Sequence, residues 1–227
     1  GEAIAGLQAA IQAYIIVPSE TEDRFRFAHD RYIHASSALR ECNTRRMHFI
    51  ISQTLLKYYA VEARQKDSTA SHICTALDLI KRRVLARQGY RKLLLDCAQA
   101  ATENGARPTA SKYYSAAISL LQEAPWEDEA EDVSYDETMQ LHLRAAECHL
   151  FMGQLSAAND LLSVVFANAK TPVDKAPAYV LQSRIFAQNG NALAAFISLK
   201  ECLSALDVPL DDQPTYEKCD ERFKKLA

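Results

Sequence analysis

The sequence predicts an all-α protein built as a superhelix of repeated helix pairs. Only six glycines and seven prolines interrupt 227 residues of ordinary globular composition, 48% hydrophobic and 24% charged, and the long stretches between them favour helix. Gly105, Gly153 and Gly190 each follow an alanine-rich helical pattern, and each is followed five residues later by an alanine. A spacing that recurs in this way is typical of a helical-repeat architecture.

The first part of the chain, residues 1–41, predicts a helix, a hairpin and a second helix. The chain starts without methionine on what looks like the middle of a helix, so we expect a fragment of a longer protein. An apolar run and a turn of proline, serine and acidic residues lead into the alternation RFRF at residues 24–27, which indicates a short β-hairpin. Asp30 suits the start of the next helix, because its carboxylate can accept a free amide hydrogen. We interpret this segment as a winged-helix remnant.

Residues 42–92 are expected to form linking helices. Two amphipathic patterns run from about Thr44 to Ala63 and from about Ala70 to Gln88. The second overlaps the basic segment KRRVLARQGYRK, residues 81–92. Such a segment is more often a solvated helix face than a binding patch, and we expect a solvated face here.

Residues 93–227 carry the repeats, in which small residues recur at matching places around each turn glycine. The matching places lie seven residues before the glycine, five after it and twelve after it. Around Gly105 they hold Ala98, Ala110 and Ala117; around Gly153, Ala146, Ala158 and Val165; and around Gly190, Ser183, Ala195 and Cys202. Small residues that face one another let two antiparallel helices approach closely. This register resembles the tetratricopeptide repeat over roughly Leu94 to Leu206, which implies a tetratricopeptide-like helical-repeat superhelix. The intervals between glycines, 48 and 37 residues, exceed the consensus unit of about 34.

The first interval is longer because it contains an acidic insert, residues 123–137. The insert has eight acidic residues and no basic one, and so many carboxylates cannot all be desolvated at a tolerable free energy. We therefore expect a peripheral loop of solvated charge. Trp126, the only tryptophan, has two interpretations: it pins the loop to the repeats, or it offers an aromatic anchor to a partner.

The segment FRFAHDRYIHASSAL, residues 25–39, resembles the F-x-F-x-H-D-R element that ends the winged-helix part of AAA-related, nucleotide-switch signalling ATPases. A superhelical repeat region usually follows that element, and the same order is found in multi-sensor histidine kinases. The stretches YRKLLLDCAQAATENGA and TPVDKAPAYVLQSRIFAQNGN look similar to fungal hybrid histidine kinases of this design. The resemblance implies a non-catalytic scaffold that couples an upstream ATPase-like module to downstream sensor and kinase domains in two-component signalling.

Two other interpretations of the whole protein stay open. One is a nucleotide-regulated transcription activator, in which the repeats sense an inducer and the winged helix closes on ADP. The other is a free-standing tetratricopeptide adaptor. The full-length gene distinguishes the three interpretations. A histidine-kinase core downstream would support the kinase, a DNA-binding domain would support the transcription activator, and the absence of both would support the adaptor.

In the nucleotide switches that the segment resembles, a histidine at the position of His29 contacts the β-phosphate of bound ADP. The resemblance therefore makes His29 and Arg31 nucleotide-sensing candidates in the parent protein, and an imidazole N–H can indeed donate to a phosphate oxygen. The alternative is that both residues cap or brace the hairpin. No phosphate-binding G-x-x-x-x-G-K-S/T loop occurs in this sequence, so we expect no cofactor.

The sequence contains no recognisable catalytic constellation. A phosphoacceptor histidine of a kinase is followed by an acidic residue and then a proline, whereas His142 and His149 are each followed by leucine. No serine, histidine and acid set stands in a nucleophile elbow. Cys148 and His149 are adjacent, and adjacent residues of a helix point in different directions, so we expect no metal site. We expect no enzyme activity from this chain alone.

Charge and cysteine content predict a cytoplasmic protein whose partners are other proteins. A formal net charge of −3 and a pI near 6.1 provide no overall attraction to nucleic acid or to an anionic membrane. Six widely spaced cysteines without a C-x-x-C pair are typical of reduced core residues in the cytosol. Neither a signal peptide nor an apolar run of transmembrane length is evident.

Stacked helix pairs form a curved surface that can bind a peptide or another domain of the parent protein. By carry-over from the repeat pattern, exposed residues of the first helix of each pair should line its concave face. The partner-binding candidates are Arg144, Glu147, Gln182 and Arg184, together with Trp126. Relative rotation of the units would transmit a change of state, and the oligomeric state stays open.

Overall fold

The computed structural model describes residues 2–19, 25–32, 41–58, 63–127, 132–208 and 215–226. These residues are mostly helical, and the one sheet among them is a two-stranded antiparallel hairpin. The prediction of an all-α protein is therefore confirmed, as is the prediction of a short N-terminal β-hairpin.

The N-terminal segment begins with helix α1 (Glu2–Gln12), followed by strands β1 (Ile16–Pro18) and β2 (Phe25–Phe27). The two strands pair with Val17 opposite Arg26. Residues 30–32 are helical, and the rest of the helix predicted to follow Asp30 lies outside the described residues. The order of elements matches the predicted helix, hairpin and helix, while the winged-helix interpretation stays a prediction.

The described residues between this segment and the repeats form three helices where two were predicted: α2 (Glu41–Tyr58), α3 (Ala63–Thr75) and α4 (Leu77–Arg83). Helix α4 ends earlier than the predicted Gln88, because Val84 adopts an extended backbone. The guanidinium of Arg87 folds back and donates to the carbonyls of Lys81 and Val84, at 2.5 and 2.9 Å. A cation at this position satisfies free carbonyls and complements the helix dipole.

Three helix pairs follow: α5 (Gln88–Glu103) with α6 (Arg107–Ser119), α7 (Tyr135–Phe151) with α8 (Leu155–Asn168), and α9 (Pro172–Gln188) with α10 (Ala192–Ala205). Helix α11 (Tyr216–Leu226) comes last. Each pair is joined at a turn glycine, Gly105, Gly153 or Gly190, whose φ lies between 71° and 75°. That left-handed conformation favours glycine and ends the first helix of each pair in the same way.

The predicted small residues lie at the interface within each pair. Five of the six residues on either side of the turns are buried: Ala98, Ala110, Ala146, Ala158 and Ser183. The exception is Ala195 of the third pair, which is only half-buried. Helix α10 packs mainly against α9, and Leu193 and Phe196 on its other side are exposed.

Helix α7 joins two hydrophobic cores. The first core extends from α2 to α6 and includes Leu141, Ala145 and Cys148 of α7. The second core includes Met139, Leu143, Ala146 and Leu150 of α7 and extends through α8 and α9. Both cores bury sides of α7, so its exposed polar side chains lie on the side that remains. Within the described ranges, no helix is both long and apolar enough to cross a membrane.

Candidate functional site

One side of helix α7 is left uncovered between the two cores. Gln140, Arg144, Glu147 and Phe151 occur at intervals of four, three and four residues, which places them in one row along the helix. Gln140, Arg144 and Phe151 are exposed, and Glu147 is half-buried. This row forms the centre of the candidate site.

Helix α9 contributes Arg184 to the same surface. The Glu147 carboxylate lies 3.5 Å from Nη1 of Arg144 and 3.7 Å from Nη1 of Arg184. The side chains of the two arginines are 52% and 42% exposed, so solvent and ligands can reach both. The structure thus brings together three of the residues that the sequence identified as partner-binding candidates.

The ring of Phe151 contacts two guanidinium groups. The guanidinium carbons of Arg107 and Arg184 lie 4.5 and 5.0 Å from the centre of its ring, within the range of cation–π attraction. Arg107 belongs to α6, Phe151 to α7 and Arg184 to α9. A single exposed aromatic ring of the second helix pair therefore contacts cationic side chains of the first and third pairs.

Two hollows, each of about 320 Å³, lie side by side on this surface. The polar hollow is lined by Gln99, Thr102, Glu103, Arg107, Tyr114 and Cys148. The apolar hollow is lined by Gln140, Leu143, Pro177, Val180, Leu181 and Arg184. Arg144 and Glu147 line both hollows, and "the groove" below means these two hollows together with Phe151.

Gln182, the remaining concave-face candidate, does not line the groove. Its Oε1 accepts a hydrogen bond of 3.0 Å from the hydroxyl of buried Ser198 on α10, so it faces the interior of the third helix pair. The residues of α9 that do line the groove are Pro177, Val180, Leu181 and Arg184. Val180 lies four residues before Arg184. Helical periodicity counted from Arg184 would have selected Val180 instead of Gln182.

Trp126 packs against the second core and does not line the groove. Its ring lies 5.8 Å from that of Tyr135, edge-on, and 5.2 Å from that of His142. Burial lowers the pKa of His142, so the imidazole next to the indole stays neutral. The hydroxyl of Thr138 donates to the carbonyl of Pro125 at 2.9 Å. These contacts pin the start of the insert to α7, and a partner-binding role for Trp126 stays a prediction.

The acidic insert is also anchored at its far end, by a buried arginine. The Arg91 side chain is 0% exposed. Its Nε and Nη2 donate to the two carboxylate oxygens of Glu137, at 2.7 and 3.1 Å. Its Nη1 donates to the carboxylate of Asp132 at 3.0 Å. Burial alone would lower the pKa of Arg91, but Glu137 and Asp132 outweigh burial and raise it. The prediction of a solvated basic face is therefore wrong for Arg91. Solvent is expected to reach most of the eight carboxylates of the insert, and Asp132 and Glu137 are two that are largely buried, with 13% and 19% of their side chains exposed.

Asp132 has a second function, since it caps helix α5. Its carboxylate accepts hydrogen bonds from the backbone N–H groups of Arg87 and Gln88, at 2.5 and 3.1 Å. Those groups lie at the N-terminus of α5, where amide hydrogens lack partners within the helix. Helix α7 begins at Tyr135, so the last three residues of the predicted insert are helical. Residues 128–131 of the insert lie outside the described residues.

His29 and Arg31 lie apart from the groove, at the end of the hairpin. Both side chains are exposed, and the backbone N–H of Arg31 donates to Nδ1 of His29 at 3.4 Å. This contact is local and does not involve the strands of the hairpin, so the bracing interpretation stays a prediction. The nucleotide-sensing role belongs to a parent protein and stays a prediction.

The four cysteines whose side chains the structure describes are free thiols. Cys97, Cys148 and Cys202 are buried and Cys74 is half-buried, whereas the side chains of Cys42 and Cys219 lie outside the described residues. Burial raises the pKa of Cys97 to about 12 and also raises that of Cys148, so both thiols stay protonated near neutrality. In the described part of the chain, no group of three or more potential ligands is placed to hold a metal ion.

Comparison of the chain with protein-family models, with curated proteins and with solved structures finds no match. The geometry of the groove is therefore the main support for a functional proposal.

Proposed function

We propose that this chain is a non-catalytic interaction segment that binds an extended stretch of a partner protein in the groove. The observation that carries the proposal is the way α6, α7 and α9 hold Arg107, Arg144 and Arg184 around Phe151 and Glu147 on one accessible surface. Arginine and aromatic side chains are enriched where proteins bind one another.

The groove also offers exposed apolar surface. Val180 is 47% exposed and Phe151 is 48% exposed, and both lie beside ion pairs. An apolar ligand side chain in this hollow would lose contact with water, while polar groups around it would fix its orientation. Phe151 packs against Arg107 and Arg184, which reduces the side-chain entropy that these two arginines lose on binding.

We also propose that the three helix pairs form a tetratricopeptide-like superhelix, preceded by a winged-helix remnant, within a histidine kinase. The repeated glycine turns and buried small residues support the first part, and the FRFAHDR sequence supports the second. In such a protein, which we expect to be cytoplasmic, the segment couples an ATPase-like module to downstream sensor and kinase domains. Movement of one helix pair against the next would carry the signal.

Selection from a phage-displayed library of random peptides tests the groove directly. Val180→Asp places a charge in the apolar hollow and should abolish binding of the selected peptides. Val173→Asp is the matched control, because Val173 is exposed on the same helix and does not line the groove, and it should bind them as well as the unmodified protein does. Peptides that bind both variants equally, or a selection that enriches none, would contradict a groove-binding function.

A further inference from the structure

We infer that the groove selects segments in which an acidic residue stands next to a bulky apolar one. This inference rests on the proposed function and specifies the chemistry of the partner. It follows from three features of the groove: surplus hydrogen-bond donors on its arginines, an apolar hollow next to them, and one internal carboxylate that faces the same arginines.

Positive charge exceeds negative charge in the groove, although the whole chain carries a net charge of −3. Arg107, Arg144 and Arg184 face the carboxylates of Glu147 and Glu103. Within the described part of the chain, no carboxylate pairs with Arg107, which instead stacks on Phe151. A ligand that brings one carboxylate would balance the groove.

The bonds that the arginines make inside the groove are weak. The distances from Glu147 to Arg144 and Arg184, 3.5 and 3.7 Å, exceed the 2.7–2.9 Å that is typical of charge-assisted hydrogen bonds. Each guanidinium has five N–H donors, and Glu147 faces one nitrogen of each. Both arginines can therefore donate to a second carboxylate without first losing a strong bond.

The apolar part of the ligand must lie close to its acidic part. Val180, Leu143 and Pro177 line the same hollow as Arg144 and Arg184, so one hollow of about 320 Å³ contains both the cationic and the apolar contacts. Adjacent residues of an extended peptide can reach both. Nucleic acid fits less well, because two carboxylates and an aliphatic surface would face its phosphates.

Glu147 faces the same two arginines that a ligand carboxylate would bind, so it competes with the ligand for their N–H groups. Glu147→Gln removes that competitor while keeping the size and shape of the side chain. Acidic ligands should then bind more tightly, because Arg144 and Arg184 become fully available. If Glu147 only maintained the structure, the same change would weaken binding or leave it unchanged.

The experiment uses the unmodified chain and the same random-peptide library. Selected peptides should share a glutamate or aspartate beside a large aliphatic or aromatic residue. One such peptide is then synthesised with a fluorescent label, both as selected and with its acidic residue replaced by the corresponding amide. Fluorescence anisotropy measures the affinity of each form for the protein and its variants.

Arg184→Gln should weaken binding of the acidic peptide by roughly tenfold, the usual effect of losing a hydrogen bond to a charged group, and should change binding of the amide peptide little. Arg83→Gln, at an exposed arginine of α4 away from the groove, should leave both affinities unchanged. Glu147→Gln should tighten binding of the acidic peptide alone, and added salt should weaken it.

Two sets of results separate this inference from the proposed function. If the selected peptides lack the acidic and apolar pair, or if the acidic and amide forms bind equally, the inference is overturned; the groove function still stands where Val180→Asp abolishes binding. If no peptide is enriched, both are overturned.

Discussion

Replacing Asp132 by alanine should destabilise this protein, although Asp132 belongs to a segment whose composition predicts a solvated loop. Its carboxylate accepts two backbone hydrogen bonds at the start of α5 and one from Arg91. The Asp132 side chain is only 13% exposed and that of Arg91 is 0% exposed. Removal of the carboxylate therefore affects both a helix cap and a buried charge.

The two effects can be estimated separately. Loss of an N-terminal cap typically costs about 1 kcal/mol. Breaking a buried ion pair completely costs about 3–5 kcal/mol, but Arg91 keeps both hydrogen bonds to Glu137, so about 1–2 kcal/mol is reasonable for this half of the network. Asp132→Ala should therefore lower the free energy of unfolding by about 2–3 kcal/mol. Asp132→Asn keeps an acceptor for one N–H and should lose less.

Urea unfolding followed by circular dichroism measures these differences, because the free energy of unfolding decreases linearly with urea concentration. Glu127→Ala is the matched control, since Glu127 is an exposed acidic residue of the same insert. It should change the stability by less than about 0.5 kcal/mol. Equal stability of Asp132→Ala and Glu127→Ala would refute the anchoring of the insert through Asp132.

Three further predictions concern the repeats, the insert and the linking helices. Ala158→Leu should overpack the buried interface between α7 and α8 and lower the free energy of unfolding by about 1–3 kcal/mol. Ala167→Leu, at an exposed position of the same helix α8, should not lower it. Equal melting temperatures of the two variants would contradict the small-residue register. Trp126→Ala should cost about 1–3 kcal/mol, and the native protein should show the blue-shifted fluorescence of a partly buried indole; an unchanged melting temperature would favour the partner-anchor interpretation. His48 and His72 share a hydrogen bond of 2.6 Å between their Nδ1 atoms, and burial, followed by the charge of His48, lowers the pKa of His72 below 6.5. The unfolded chain then binds a proton at His72 more readily than the folded chain does, so the free energy of unfolding should be highest above about pH 6.5 and decrease as the pH falls towards the folded-state pKa. The urea midpoint of His72→Gln should decrease less over the same pH range. If the midpoints of the two proteins decreased in parallel, the prediction would be contradicted.

Several local features were predictable because they depend on neighbouring residues. A glycine after an alanine-rich helix predicts a left-handed helix end, and Gly105, Gly153 and Gly190 all have that conformation. Alternation of aromatic and basic residues predicted the hairpin that Phe25–Phe27 completes. The break between α3 and α4 at Ala76 was missed, and the sequence around it contains neither glycine nor proline.

The candidate site was predictable only in part. Arg144, Glu147 and Arg184 could be named from the repeat register, because each first helix presents its exposed residues at a regular spacing. Arg107 and Phe151 carry no such signal, since one lies at the start of a second helix and the other at the end of a first helix. Their contact depends on how successive helix pairs stack.

By itself, the sequence determined that this protein is helical, that its helices pair at three glycine turns, and that small residues lie between the paired helices. These properties follow from backbone preference and side-chain size over a few neighbouring residues. Only the tertiary structure decided which charges are buried. Arg91 lies among exposed basic residues in the sequence, and it is buried because Asp132 and Glu137, 41 and 46 residues away, supply carboxylates with matching geometry. The free energy of a buried charge depends on such partners, and composition does not contain that information.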